Sequence, residues 1–368
     1  MPILDRYILT QWLKIFGISI GLTLGILILH TAYNELPDLI SYKASLGEIF
    51  LYFFYSAPTL IPVVLPVSLL LSVIFTLSSM HRNNEIIAMK AAGIHVFRIS
   101  RSLWGASVVL AGLLFYLNAH LVPYCIEASR ITQETLKFES EKISGATNNV
   151  GIINYLAFNN RLDSRIWFMN RFSQSTNIAS GVEVHILDED GNEKSAIKAR
   201  EGVFDDVDKC WFFTDGQEIF FDTETGRPVK LEYFNKRYYK DFNEDPTIMK
   251  LSTRRAKDLS VTELQTLISS LGAKNEMLPY NVALHNIMTS PLVCIIVVAL
   301  AIPFSIAGVR TNPMVGVSKT VALFFAYYVI LNIFTAIGSR GILSPALAAW
   351  APNIIALLFA LSLYRKNL

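Results

Sequence analysis

Six apolar runs, each long enough to cross a lipid bilayer as a helix, dominate the pattern of hydrophobic and polar positions along the chain. A span needs about 20 apolar residues, because a helix rises about 1.5 Å per residue and the hydrocarbon core is about 30 Å thick. The first run lacks a small-residue cleavage site, which indicates a retained helix. The sequence therefore predicts six transmembrane helices, at residues 12–32, 49–77, 103–122, 282–307, 317–337 and 346–364.

The second run contains three prolines at intervals of four residues, Pro58, Pro62 and Pro66, which therefore lie along one helical face. Each proline removes a backbone amide donor and crowds the carbonyl four residues earlier. Two interpretations remain open, a permanently bent helix and a hinge that moves during function. The run is longer than a bilayer requires, so we expect it to tilt, kink or project from the membrane.

Between the third and fourth runs, the pattern changes to short segments in which apolar and polar residues alternate, as in half-buried β-strands. The pair Asp190-Gly191 is a hairpin turn signal, and residues 225–228 form a second turn between two strands rich in aromatic residues. These features predict an all-β domain, either a sandwich or a jelly roll.

A short helix is predicted after the β domain, because Ser260 and Glu263 form a capping box and Gly272 is placed to end the helix. The pattern therefore divides the chain into four parts. They are residues 1–122 with three spans, 123–250 with the β domain, 251–279 with the linker helix, and 280–368 with three more spans.

Basic residues collect in the connection between the second and third spans, near residue 310 and at the C-terminus, while the first connection is mainly acidic. Lys and Arg accumulate on the cytoplasmic side of membrane proteins. We therefore expect both termini in the cytoplasm and the β domain outside it. The residues that carry this prediction are Arg82, Lys90, Arg98, Arg101, Arg310, Lys319, Arg365 and Lys366.

The composition is typical of a membrane protein with a soluble insert, with 52% hydrophobic and 17% charged residues and a mean hydropathy of +0.40. The net charge of +2 comes without a basic stretch interleaved with aromatic residues, so nucleic-acid binding is not expected. Three cysteines are too few for a disulfide scaffold. Cys125 and Cys210 could pair in an extracytoplasmic domain, but unpaired buried thiols are favoured for them and for Cys294.

Motifs for nucleotide and metal binding are missing from the chain. It contains no phosphate-binding loop of the form G-x-x-x-x-G-K-[ST], and no H-E-x-x-H or C-x-x-C. The six histidines are scattered without metal-ligand spacing. We therefore expect that the chain does not hydrolyse nucleotide through a phosphate-binding loop, and that it holds no metal.

The charged connection at residues 82–93 has apolar residues at helical spacing and a glycine placed to end a helix. One interpretation is a solvated connector that only obeys the charge rule. The other is a coupling helix that docks on a cytoplasmic motor protein and transmits its motion to the spans. In that case polar residues make charge-assisted contacts and apolar residues anchor the helix. The candidate residues are Arg82, Asn84, Glu85, Ile86, Met89 and Gly93, with Ile87 as a further anchor.

The segment RNNEIIAMKAAGI at residues 82–94 resembles the coupling-helix signature of the lipopolysaccharide export permeases, the paired F- and G-type membrane subunits of the Lpt ABC transporter. The resemblance extends over nearly the whole chain, and the order of three spans, an external β domain and three spans is also the family's. LDRYI at residues 4–8 favours the G type. Further similar segments are SPLVCIIVVALAIPFS at 290–305, Asn312-Pro313-Met314 with Gly316 and Val317, and Pro345, Trp350, Pro352 and Asn353.

The resemblance implies a non-catalytic subunit of the bacterial inner membrane, which needs no cofactor because a partner binds the ATP. It implies four partners: a paralogous permease subunit, a dimer of a cytoplasmic ATPase, periplasmic β-jelly-roll bridge proteins, and lipopolysaccharide. It also implies a lateral gate lined by spans one and five. The candidate gate residues are Thr31, Asn34, Glu35 and Asp38, where relatives often carry basic residues.

Two hypotheses of different classes follow from the sequence. The first is a subunit of an ATP-driven exporter that extracts lipopolysaccharide from the inner membrane and passes it to a periplasmic bridge. The alternative is a membrane-anchored scaffold whose periplasmic β domain binds an envelope partner without transport. Co-purification separates them, because an exporter subunit is isolated with an ATPase and a scaffold is isolated without one.

Overall fold

The computed structural model describes residues 3–143, 152–160, 163–173, 176–188, 191–205, 208–222, 225–270, 274–306 and 313–367. The chain forms two compact units. The first contains residues 1–132 and 281–368, and the second contains residues 133–280. The helices are α1 (Ile3–Ser41), α2 (Leu46–Arg82), α3 (Glu85–Ala91), α4 (Val96–Tyr116), α5 (Val122–Ile143), α6 (Pro246–Ser252), α7 (Val261–Ser270), α8 (Lys274–Ile306), α9 (Pro313–Ser339) and α10 (Pro345–Asn367).

Six helical segments are long and apolar enough to cross a membrane, which confirms the six predicted spans. They are longer than the apolar runs, because a helix continues into the polar interface wherever its ends are satisfied. At the start of α2, for example, Ser45 and Glu48 form a capping box. Pro58, Pro62 and Pro66 all lie inside the continuous helix α2.

The third span continues beyond its apolar run. A π-helical turn, Leu117–Leu121, joins α4 directly to α5, which extends to Ile143. Residues from about 125 were expected to begin the β pattern, and this prediction was wrong for residues 125–143. The local charges favour a helix here, since Glu127 and Arg130 pair at 2.9 Å across one turn.

The core of the first unit lies around α2 and α8. In the most apolar stretch of 18 residues of each helix, 61% of the residues of α2 and 56% of those of α8 are buried. Two hydrogen bonds between spans pair polar groups that would be costly to leave unpaired in hydrocarbon. The Nε1 atom of Trp12 donates to Oγ of Ser72 at 2.9 Å, and the hydroxyl of Tyr327 donates to Oδ1 of Asn353 at 2.7 Å. These bonds tie α1 to α2 and α9 to α10.

Gly338 is required where α9 packs against α10. A Cβ atom at this position would clash with the side chain of Ala348 and lie 3.2 Å from Cγ2 of Val282. We expect Gly338→Ala to lower the free energy of unfolding by about 1–3 kcal/mol, as overpacking does. Thermal unfolding of the purified protein in detergent measures this loss. Gly112→Ala is the matched control, since a Cβ atom there meets open space, and an equal loss in both variants would contradict the prediction.

The second unit contains one six-stranded antiparallel sheet in which every strand pairs with its neighbours in sequence. The all-β prediction is confirmed for this sheet. The sequence predicted a sandwich or a jelly roll, and this part of the prediction is corrected, because the described strands form a single open meander. The strands are β1 (Ile152–Asn160), β2 (Arg165–Ser173), β3 (Ile178–Leu187), β4 (Glu193–Asp205), β5 (Cys210–Phe221) and β6 (Pro228–Tyr239).

An aromatic cluster fills the buried face of this sheet, and the chain that follows β6 covers it. The ring of Phe242 lies 5.5 Å from that of Trp167 and 4.9 Å from that of Tyr239. Trp211 is fully buried beside Trp167. This covering segment and α6, which contacts β1, occupy the place that a second sheet has in a sandwich.

The two turn predictions and the capping box were tested in part. The strands on both sides of each turn form hairpins, and Gly226 adopts a φ of 64°. The capping box is confirmed, since the backbone amide of Glu263 donates to Oγ of Ser260 at 3.2 Å and the amide of Ser260 donates to the Glu263 carboxylate at 2.8 Å. Asp190, Gly272, Arg310 and Asn312 lie outside the described residues.

The three cysteines are unpaired and buried, as favoured by the sequence. Burial raises the pKa of the Cys210 thiol, and the nearby carboxylates of Asp208 and Asp205 raise it further. A raised pKa keeps the thiol protonated and therefore poorly nucleophilic.

Candidate functional site

The connection between α2 and α3 is a tight turn of two asparagines. Asn83 caps α2, and its amide donates to Ser79 O. Asn84 follows with a φ of 60°, in the left-handed region that asparagine tolerates better than most residues. This conformation reverses the chain at once, so that α3 starts at Glu85 without a linker.

The end of α3 is a Schellman motif, which confirms the predicted role of Gly93. Gly93 has a φ of 78°, its amide donates to Lys90 O, and the amide of Ile94 donates to Met89 O, both at 3.0 Å. Met89 and Ile94 both pack against the apolar core of the first unit. The helix is therefore fixed in length at both ends by left-handed residues.

The apolar side of α3 faces the chain's own bundle. Ile86 is only 1% exposed and belongs to the same buried cluster as Ile8 of α1 and Leu77 of α2. Ile86 was predicted to anchor a partner, and its burial gives it a different role, which is to hold α3 against the spans. Phe97, in the first turn of α4, is an exposed apolar side chain, at 59% exposure.

The polar side of α3 carries charges toward the outside of the bundle. Arg82 and Lys90 are exposed, while Glu85 is half-buried. One carboxylate oxygen of Glu85, Oε2, accepts a hydrogen bond of 3.0 Å from the hydroxyl of Tyr7 in α1. The other oxygen lies 3.5 Å from the side-chain amide of Asn83, at the limit of a hydrogen bond.

A second contact joins the start of α1 to the start of α4. The Nη1 atom of Arg98 lies 2.9 Å and 3.1 Å from the two carboxylate oxygens of Asp5. The Asp5 side chain is 8% exposed and that of Arg98 is 35% exposed, so the carboxylate is largely shielded from solvent while the guanidinium is not. Asp5 and Tyr7 were not predicted as members of this site, although an acidic residue seven positions before the first predicted span was a usable signal.

The candidate gate residues lie on one face of α1, because positions 31, 34, 35 and 38 follow the helical spacing i, i+3, i+4 and i+7. Asn34 and Asp38 are exposed, whereas Thr31 and Glu35 are half-buried. The hydroxyl of Thr31 donates to Leu27 O at 3.0 Å, and the side chains of Asn34 and His30 lie 3.3 Å apart. This end of α1 therefore presents a polar face that includes two carboxylates.

Spans one and five are the least buried of the six. In their most apolar stretches of 18 residues, 11% of the residues of α1 and 17% of those of α9 are buried, against 28% in the third and sixth spans. Such faces require lipid or another protein, since a large exposed apolar surface marks an interaction site. Among the described residues, no group of three His, Cys, Asp or Glu side chains could hold a metal ion.

In the described part of the chain, six apolar helices, an inserted antiparallel sheet and a short charged helix between the second and third spans are typical of a multi-pass membrane protein. Residues 6–366 match the family model described as lipopolysaccharide export system permease LptF/LptG, and the chain belongs to that family. It is therefore a non-catalytic permease component of the Lpt ABC transporter, in which a separate subunit hydrolyses ATP and the permease needs no cofactor. A search of curated proteins returned no match for this chain.

Proposed function

We propose that this chain couples ATP hydrolysis by a cytoplasmic ATPase dimer to the extraction of lipopolysaccharide, together with a paralogous permease subunit and a periplasmic β-jelly-roll bridge. Membership of the family supports the exporter over the scaffold. Each buried CH₂ group of an acyl chain contributes about 0.8 kcal/mol, so a lipid with several chains is held in the bilayer by tens of kcal/mol. Extraction therefore requires an external energy source and an apolar route.

The observation that carries the proposal is α3, a short helix held rigidly between two spans with its charged side outward. In this proposal, Arg82 and Glu85 contact the ATPase, Asn84 and Gly93 fix the ends of the helix, and Ile86 and Met89 bind it to the bundle. A helix attached in this way passes rigid-body motion to its neighbours.

The charges support a cytoplasmic location for α3. Arg82, Lys90 and Arg101 are exposed around this helix, and basic residues accumulate on the cytoplasmic side. In this orientation both termini lie in the cytoplasm of a bacterial inner membrane. Residues 123–279, with the β domain and the linker, then lie in the periplasm, and residues 1–122 and 280–368 form the membrane part.

We propose that spans one and five line the lateral gate. Their low burial supports this role, because it leaves apolar faces for the paralogous subunit and the lipid. The polar face with Thr31, Asn34, Glu35 and Asp38 then lies at the periplasmic end of α1 and meets the head group. Its two carboxylates disfavour direct contact with phosphate, so the basic contacts are assigned to the paralogous subunit.

Affinity purification in mild detergent tests the proposed function. We expect the tagged full-length chain to elute with a paralogous permease and an ATPase, and cross-links from positions 82–93 to capture that ATPase. Elution with an envelope protein alone, and cross-links that reach only lipid, would support the scaffold instead.

The segment Leu4 to Ile8 favours the G-type subunit, and complementation tests this assignment. We expect the chain, expressed with its own partners, to restore lipopolysaccharide export when it replaces the G-type subunit. Replacement of the F-type subunit by this chain serves as the matched control and should fail. The reverse result would assign the chain to the F type.

A further inference from the structure

The first two turns of α1 are held from two sides, by α3 and by α4. Tyr7 contacts Glu85, the first residue of α3, and Asp5 contacts Arg98 in the first turn of α4. Two helical residues that are two positions apart point in directions about 200° apart, because each residue advances a helix by about 100°. The base of α1 therefore lies between α3 and the start of α4.

The two contacts differ in strength. The carboxylate of Asp5 is 8% exposed and receives a charge-assisted bond from Arg98, which is hard to break because it would leave a buried charge unpaired. The bond from Tyr7 to Glu85 is exposed to solvent and joins one neutral group to one charged group. Such a bond makes a modest net contribution.

Near its base, α1 packs into the bundle. Ile8 is fully buried, and Trp12 is buried with its indole bonded to Ser72 of α2. At its base, α1 also contacts α3 through Tyr7 and Glu85, and α4 through Asp5 and Arg98. A force on Glu85 reaches α1 without passing along α2.

We propose that Tyr7 is a positioning residue that passes motion of α3 directly to α1, with the Asp5–Arg98 pair as the pivot. This inference rests on the proposed function. The candidate gate residues lie 24–31 positions beyond Tyr7, which is about 36–46 Å along the helix at 1.5 Å per residue. A rotation of about 5° at the pivot therefore moves the gate end of α1 by about 3–4 Å.

The test compares Tyr7→Phe with the wild-type chain in the complete transporter, reconstituted in liposomes with lipopolysaccharide and a periplasmic acceptor. We expect the ATPase to remain bound and active, while the amount of lipid released per ATP hydrolysed falls about fivefold, as the loss of one hydrogen bond allows. Tyr124→Phe is the matched control, because Tyr124 is 64% exposed and lies in α5. Unchanged release per ATP in Tyr7→Phe would overturn the inference.

A double-mutant cycle separates transmission from a general loss of stability. If Tyr7 acts through Glu85, Tyr7→Phe should cause no further loss of release per ATP in a Glu85→Ala background, since interacting residues are non-additive. Additive losses would assign Tyr7 a role independent of α3 and would also overturn the inference. Asp5→Asn provides a second variant, with an expected loss of about tenfold from the stronger, charge-assisted pair.

The outcomes distinguish the inference from the proposed function. If the wild-type chain is isolated without an ATPase, both the proposed function and the inference are wrong. A wild-type chain that binds and uses the ATPase, with Tyr7→Phe and Asp5→Asn releasing lipid normally, leaves the proposed function intact and removes only the direct path through α1.

Discussion

Glu85→Lys should abolish lipopolysaccharide export while leaving the membrane subunit folded. Glu85 is the acidic residue at the start of α3, between the exposed basic side chains of Arg82 and Lys90. Reversal of its charge replaces an attractive contact with a repulsive one at the proposed ATPase interface. Loss of a charge pair at an interface costs several kcal/mol, so we expect ATPase binding to weaken on the order of 100-fold.

The measurement is co-purification of the ATPase, followed by export in cells that depend on this subunit. Yield and thermal unfolding of the variant should match the wild-type protein, because Glu85 is only half-buried. Glu201→Lys is the matched control, since Glu201 is exposed on β4 and far along the chain from α3. Normal export with Glu85→Lys would remove α3 as the coupling element.

Glu244→Ala should strongly destabilise the second unit. The carboxylate of Glu244, at 3% exposure, lies 3.1 Å from Nε of Arg165 and accepts bonds from Asn160 and Trp167 at 3.0 Å and 3.2 Å. Its backbone carbonyl accepts a further bond of 2.8 Å from Trp211. The carboxylate thus fixes the segment after β6 to the sheet.

Removal of one partner from a buried ion pair costs about 3–5 kcal/mol, because the remaining charge is left buried. Arg165, at 7% exposure, would keep its ion pair with Asp163, its bond to the carbonyl of Asp241 and its contact with the ring of Phe242, but would lose its buried carboxylate partner. Urea unfolding followed by tryptophan fluorescence measures the loss, since Trp167 and Trp211 lie at the site. Glu183→Ala is the control, because its pair with Lys198 is 43% exposed on both sides and contributes at most about 1 kcal/mol. Equal losses in the two variants would contradict the prediction.

The spans could be predicted from the sequence because the bilayer imposes one demand on all of them. Apolar side chains must cover about 30 Å of hydrocarbon, so length and hydropathy suffice. The prediction of β structure failed at residues 125–143, because the helix of the third span continues there as a charged helix that hydropathy does not detect. The presence of a single sheet could not be predicted from the sequence either, because alternation along a strand specifies its two faces but does not specify what covers them.

At the candidate site, local features were predictable and distant ones were not. Gly93 ends α3 because a left-handed position favours glycine, which is a property of the residue itself. Ile86 gave the same apolar signal whether it faced a partner or the bundle, and its burial depends on the placement of α1 and α2. Tyr7 and Glu85 are 78 positions apart, so no spacing rule relates them.

The sequence alone determined the number of spans, the presence of an inserted β-sheet and the glycine that ends the short charged helix, because these follow from hydropathy, alternation and backbone preferences of single residues. Only the tertiary structure decided which side of that helix is free, which carboxylates are buried, and that the base of α1 meets α3 and α4. Those properties depend on groups brought together from distant parts of the chain, where burial and charge pairing act on the folded arrangement.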